Sequence, residues 1–176
     1  MFKSKIQFLI FIFFILISFQ NIHAQLSKKH YLPPITCGDA IENQYIYIST
    51  PKNQNIGFKI IPIGQPETSI IIGTVSNTTS YETSSTVIGD QLFQSSNSTS
   101  VITNNKGYII EADDVIYVSV RMRSQNSFQA GAIVSKGSSA LGTDFRMGGF
   151  STSSPSGSHL NFVSVMATED NTTVNF

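Results

Sequence analysis

Apolar residues run almost unbroken at the start of the chain and alternate with polar ones afterwards. From Ile6 to Phe19 only Gln7 and Ser18 interrupt the apolar run. Lys3 and Lys5 precede it, and Ile22-His23-Ala24 follows with an aliphatic and a small residue at the spacing that signal peptidases read. This order predicts a secretory signal peptide over 1–24, a cleavable signal helix cut after Ala24. The run is shorter than the roughly 18–20 residues that cross a bilayer, so no membrane span is expected after cleavage.

Beyond Ala24 no apolar stripe at helical spacing exceeds two turns, and short or period-two runs replace it. Tyr45 to Ile48 is ended by Pro51. Ile56 to Ile63, Ile70 to Val75, and Val87 to Phe93 with its Gly89-Asp90 turn pair come next. Tyr108-Ile109-Ile110 precedes Asp113-Asp114, which reads as a second turn. The clearest alternation follows, with Val115, Tyr117, Ser119 and Arg121 on one face. Ile116, Val118, Val120 and Met122 form an apolar face that points to the core. Ala130 to Ser135, Leu141 to Met147 and Phe162 to Met166 complete the series. Roughly nine or ten short strands at these intervals predict an all-β, antiparallel β-sandwich-like domain, with β-propeller-like blades as the alternative.

Composition narrows the setting. The 176 residues hold eleven Lys+Arg against eleven Asp+Glu, and only 12% are charged, about half the usual fraction. Zero formal charge supplies no extended basic surface, so free nucleic acid is not an expected partner. Loss of Lys3 and Lys5 with the signal leaves nine basic residues against eleven acidic. About a third of the mature chain is Ser, Thr or Asn. Two stretches concentrate them, Ser76 to Thr86 and Ser95 to Asn105; each reads either as an exposed binding loop or as a solvated hairpin tip.

Asn43–Phe58 and Asn161–Phe176 align without a gap. Asn43/Asn161, Thr50/Thr168, Asn53/Asn171 and Phe58/Phe176 are identical, and Tyr45/Val163, Tyr47/Val165, Ile48/Met166 and Ile56/Val174 keep strand character. Both spell strand, polar turn, strand, the mark of a repeated β unit. The expected organisation is a signal peptide (1–24), an extended amino-terminal segment (25–42), a β-rich domain (43–160), and the truncated start of a second repeat (161–176). A strand barely begun at Phe176 leaves an open edge, so the chain reads as the amino-terminal piece of a longer protein.

Candidate chemistry is sparse. His30 and His159 lack a second ligand at metal spacing and read as exposed histidines. Ser49-Thr50-Pro51-Lys52 matches a Ser-x-x-Lys pattern, but at a strand end and without Lys-Thr-Gly. Asp113-Asp114, Glu169-Asp170 and Asp39 with Glu42 are explained as turn carboxylates rather than calcium ligands. The lone Cys37 permits no internal disulfide; it reads as a small buried thiol, or as one half of a bridge to a cysteine elsewhere. No catalytic, cofactor or metal residues are therefore assigned. Possible binding residues are Tyr81, Asn77 and Asn97 on the polar stretches, and Arg121, Arg123 and Arg146 as anion-recognising groups.

Three segments carry a family likeness: Gly131-Ala132, Lys136 to Arg146 (KGSSALGTDFR), and Asn161 to Phe176. Through them the stretch Gly107 to Phe176 resembles the amino-terminal domain of the IgGFc-binding protein family. The resemblance implies a non-enzymatic, β-rich extracellular module, in bacterial members followed by further modules and often a carboxy-terminal sorting domain. The expected function is a secreted or cell-surface binding or adhesion module contacting protein or carbohydrate. A structural spacer is one alternative, and the non-catalytic part of an enzyme whose site lies beyond Phe176 is another.

Overall fold

The computed structural model describes residues 25–36, 41–83, 89–124, 130–148 and 162–175. The signal segment, Cys37, Asp39 and His159 lie outside them. Among the described residues, no helix is long and apolar enough to cross a membrane.

Among the described residues, seven strands form the fold: β1 (Ser27–Leu32), β2 (Ile41–Ser49), β3 (Ile56–Pro62), β4 (Ile71–Val75), β5 (Tyr81–Glu82), β6 (Tyr108–Ser124) and β7 (Ala130–Val134). Every named pairing is antiparallel. The order is β4-β3-β6-β2-β5, with β1 and β7 also on β6. The chain is thus all-β, as the alternation predicts.

The 17-residue β6 organises everything. Its first half lies between β3 and β1, and its second half between β2 and β7. One strand therefore belongs to both arms of the sheet, which curls until it is nearly closed into a barrel. At the closing side, β5 sets the Tyr81 ring edge-on against Phe58 of β3, centroids 4.9 Å apart.

Alternation drives the packing. Along β6 the even positions Tyr108, Ile110, Ile116, Val118, Val120 and Met122 are buried, because successive side chains leave opposite faces of a strand. They meet Ile46 and Ile48 of β2 and Ile56, Phe58 and Ile60 of β3 in one core.

Asp113-Asp114 differs from expectation, since the pair lies inside β6 rather than at a turn. Partner register on β1 jumps from Ile116 at Ser27 to Glu111 at Lys29, so β6 bulges here. Neighbours distant in sequence satisfy the bulge. Lys28 donates its ammonium to the Asp113 carbonyl at 2.9 Å, and Lys52 pairs with Asp114 at 3.0 Å. Asp114 also accepts from the Val115 N–H at 2.8 Å. Bulges of this kind bend a strand and increase its twist, which suits one strand serving two arms.

His30 is buried rather than exposed, with 0% of its surface accessible. Its Nε2 faces the carbonyls of Ile116 (3.0 Å) and Ser27 (3.2 Å), so Nε2 carries the proton and donates. Nδ1 accepts from the Ser135 hydroxyl at 2.9 Å, and that oxygen accepts from the Gly137 N–H at 3.3 Å. Ser27 meets the Ser138 hydroxyl at 2.9 Å. This polar seam ties β1 to β6 and to the short 3-10 turn at Gly137–Ala140. Gly137 has φ 55°, and a Cβ there would lie 2.2 Å from that of Ser27. Only glycine fits such a position.

Three other segments depart from the predicted strands. Gly89–Leu92 is a 3-10 turn, followed by a single parallel bridge between Phe93 and Ile35. Residues 141–147 and 162–166 join no ladder. Both expose apolar side chains, including Leu141, Phe145, Met147, Val163 and Val165. Ser164 is held by a hydrogen bond to the Pro34 carbonyl. In the segment aligned with β2–β3, residues 168–171 do turn; Thr172 donates to the Glu169 carbonyl at 2.8 Å and Asn171 takes φ 59°.

Candidate functional site: a tyrosine–arginine sheet face

The strand periodicity that buries Ile46 and Ile48 turns Tyr45 and Tyr47 outward on β2. The same rule turns Arg121 and Arg123 outward on β6. Register then decides what meets what. Tyr45 lies opposite Arg121, Asn43 opposite Arg123, and Tyr47 between Ser119 on β6 and Glu82 on β5. On the other side of β6, Arg121 lies opposite Ala132, whose small side chain leaves lateral room.

The result is an open groove of about 300 Å³ lined by Tyr45, Tyr47, Glu82, Arg121, Met122 and Arg123. The tyrosine rings are 6.1 Å apart and inclined by 30° to each other. Loss of hydration raises the pKa of Tyr47, and the Glu82 carboxylate beside it raises it further, against the pull of Arg121. The phenol therefore keeps its proton at neutral pH and remains a donor. Glu82 marks the acidic end of the groove and the arginines its basic end.

The other residues singled out in the sequence lie elsewhere. Tyr81 is half-buried against Phe58 in the closing wall. Asn77 sits in the Ser76–Thr79 turn, where Nδ2 donates to Asn53 Oδ1 at 2.7 Å and the backbone N–H to the Lys52 carbonyl at 2.8 Å. Asn97 lies in the 3-10 turn Ser96–Ser98, its N–H directed at the Ser95 hydroxyl. Arg146 is exposed in the irregular 141–148 stretch. The structure thus joins Arg121 with Arg123 and leaves the remaining four dispersed. Sequence reasoning missed Tyr45, Tyr47 and Glu82. The Tyr-Ile-Tyr-Ile alternation put both rings on one face, but pairing with β6 and β5 is non-local.

A second cleft, of about 190 Å³, runs between the end of β1 and β7 and is mostly apolar, with Leu32, Leu92, Val120 and Ile133 in its walls. The Ser-x-x-Lys residues are structural: Thr50 donates to the Val115 carbonyl at 2.7 Å, and Lys52 is the partner of Asp114. Among the described residues, no three His, Cys, Asp or Glu gather as a metal site.

No family model matches the chain, and no curated protein matches it. A solved structure, the crystal structure of Thermotoga maritima 1070, is similar over 64% of this chain and 97% of its own, at 12% identity and a TM-score of 0.40.

Proposed function

We propose that the chain is a non-catalytic binding module of an exported, surface-associated protein, and that it contacts protein or glycan through its sheet face. The tyrosine–arginine groove carries this reading. Tyrosine supplies large contact area at low entropic cost, arginine supplies directional donors, and both are enriched at recognition surfaces. Export rests on the signal-like residues 1–24, and a surface location on the resemblance of 107–176 to the IgGFc-binding protein family.

The Ser/Thr/Asn turns are secondary in this account, because Asn77 commits its side-chain amide to Asn53 and its backbone N–H to the Lys52 carbonyl. The test is binding of the full chain to glycan and surface-protein arrays, alongside two variants. Replacing the turn at 77–79 should leave the pattern intact, and Tyr45→Ala with Arg121→Ala should abolish it. Loss of binding on turn replacement alone would refute the assignment to the sheet face.

A further inference from the structure

We infer that the second cleft, between the end of β1 and β7, binds a free medium-chain monocarboxylate, its alkyl chain on the apolar floor and its carboxylate on Lys136. The site is separate from the tyrosine–arginine groove, so the inference goes beyond the sheet-face reading and stands without it.

The core is incomplete at this corner. Ile133 lies opposite Val120 in the β6–β7 register, and residues directly opposite share one face of a sheet. Ile133 therefore faces the core side with Val120, yet it is 45% exposed where Val120 is 5% exposed. Leu32 and Leu92, both buried, complete the floor of the cleft. An aliphatic group left in water on the core side of a sheet is stabilised by being covered.

Both walls are anchored. On one side Ile35 donates its N–H to the Leu92 carbonyl at 2.8 Å, and its carbonyl accepts from the Gln94 N–H at 3.0 Å. On the other, Ser135 donates its hydroxyl to His30, and Gly137 packs against Ser27. Lys136 lies between these two anchors, exposed at the rim of the cleft. A cleft held open in this way spares a ligand the cost of ordering its site.

Size and charge select the occupant. The cleft measures about 190 Å³. A cavity of about 150 Å³ holds one benzene ring, so this one takes a chain of roughly seven or eight carbons. A peptide would fill it with one side chain and lay its amides against exposed Ile133 without partners. Among the described residues, Lys136 is the one charged group in the lining, and no carboxylate pairs with it. The Ser135 hydroxyl is already committed to His30. One uncompensated cation beside an apolar trough matches an amphiphile with one anionic head. A single ammonium and so short a trough do not hold a bilayer, which takes several basic residues or a long apolar face.

The test is titration calorimetry of the full chain at pH 7 with butanoate, hexanoate, octanoate and dodecanoate. Octanol and octylammonium serve as the uncharged and charge-reversed probes. Affinity should rise about two- to fourfold per methylene up to octanoate and then level off, as the longer chain leaves the cleft. Octanoate should bind about two- to fivefold more tightly than octanol and lose that margin at high salt. Lys136→Glu should invert the order and favour octylammonium, an inversion that a purely structural residue would not give. Lys136 is exposed, and an unchanged thermal midpoint would show that the variant folds. Methyl NMR signals of Leu32 and Ile133 should move with octanoate. Equal affinity for octanol and octanoate would overturn the assignment of the anion. An unbroken rise to dodecanoate would overturn the cleft as the seat of binding, as would shifts at Tyr45 and Arg121 with Leu32 and Ile133 unmoved. Silence towards every probe at millimolar concentration would overturn the inference altogether.

Discussion

His30 makes the fold sensitive to acid at a pH where carboxylates remain ionised. Burial lowers its pKa from the ordinary 6.5, against the two carbonyls of Ile116 and Ser27, which favour the charged form. An unfolded chain takes up a proton near pH 6.5, whereas the native imidazole stays neutral below that point. The contribution of His30 is therefore fully present above pH 6.5 and is lost as pH falls towards the native pKa. Each pH unit that this window spans removes up to about 1.4 kcal/mol. Protonation would also put a donor on Nδ1, where the imidazole now accepts from Ser135. His30→Gln keeps a donor for the two carbonyls and cannot take up the proton. Urea unfolding of each protein at pH 7.5 and pH 5 should show a larger loss for the wild type, with equal m values. Equal pH dependence in the two proteins, or an NMR titration of His30 in the wild type with its midpoint at 6.5 or above, would refute the argument.

Further outcomes follow from the same geometry. Gly137→Ala should cost more than about 2 kcal/mol, because a left-handed φ is penalised and its Cβ would strike Ser27; denaturant midpoints check this. Ile116→Ala, at the centre of β6 and fully buried, should cost about 2–5 kcal/mol in the same assay. Lys52→Met should change stability little at neutral pH, since the Lys52–Asp114 pair is partly exposed. The Lys52 ammonium and the Val115 N–H hold the Asp114 carboxyl below its usual 3.8. That contribution is present above pH 3.8 and lost below it, so the substitution should flatten the acid limb slightly below pH 3.8.

What the sequence made legible was the local pattern. The even positions of 116–122 were recognisable as a core face because alternation needs no partner to be seen. The same holds for the outward direction of Arg121 and Arg123. Asp113-Asp114 misled because adjacent acids favour turns in isolation; Lys28 and Lys52, far away in sequence, let the strand continue through a bulge instead. His30 misled for a similar reason, since its partners Ser135 and Ile116 lie 105 and 86 residues onward. Residues 141–147 and 162–166 have strand composition but no ladder among the described residues, and composition alone cannot supply the neighbour. Tyr45, Tyr47 and Glu82 became a site only through register, which no single strand contains.

The central claim is that ligand meets the sheet face and not the polar turns. A two-dimensional NMR titration of the full chain with a glycan or protein retained on the arrays, using amide and arginine side-chain signals, tests it most directly. The account predicts saturable shifts confined to Tyr45, Tyr47, Glu82, Arg121, Arg123 and their strand neighbours. Shifts confined to 76–79 and 95–99, with the face unmoved, would contradict it.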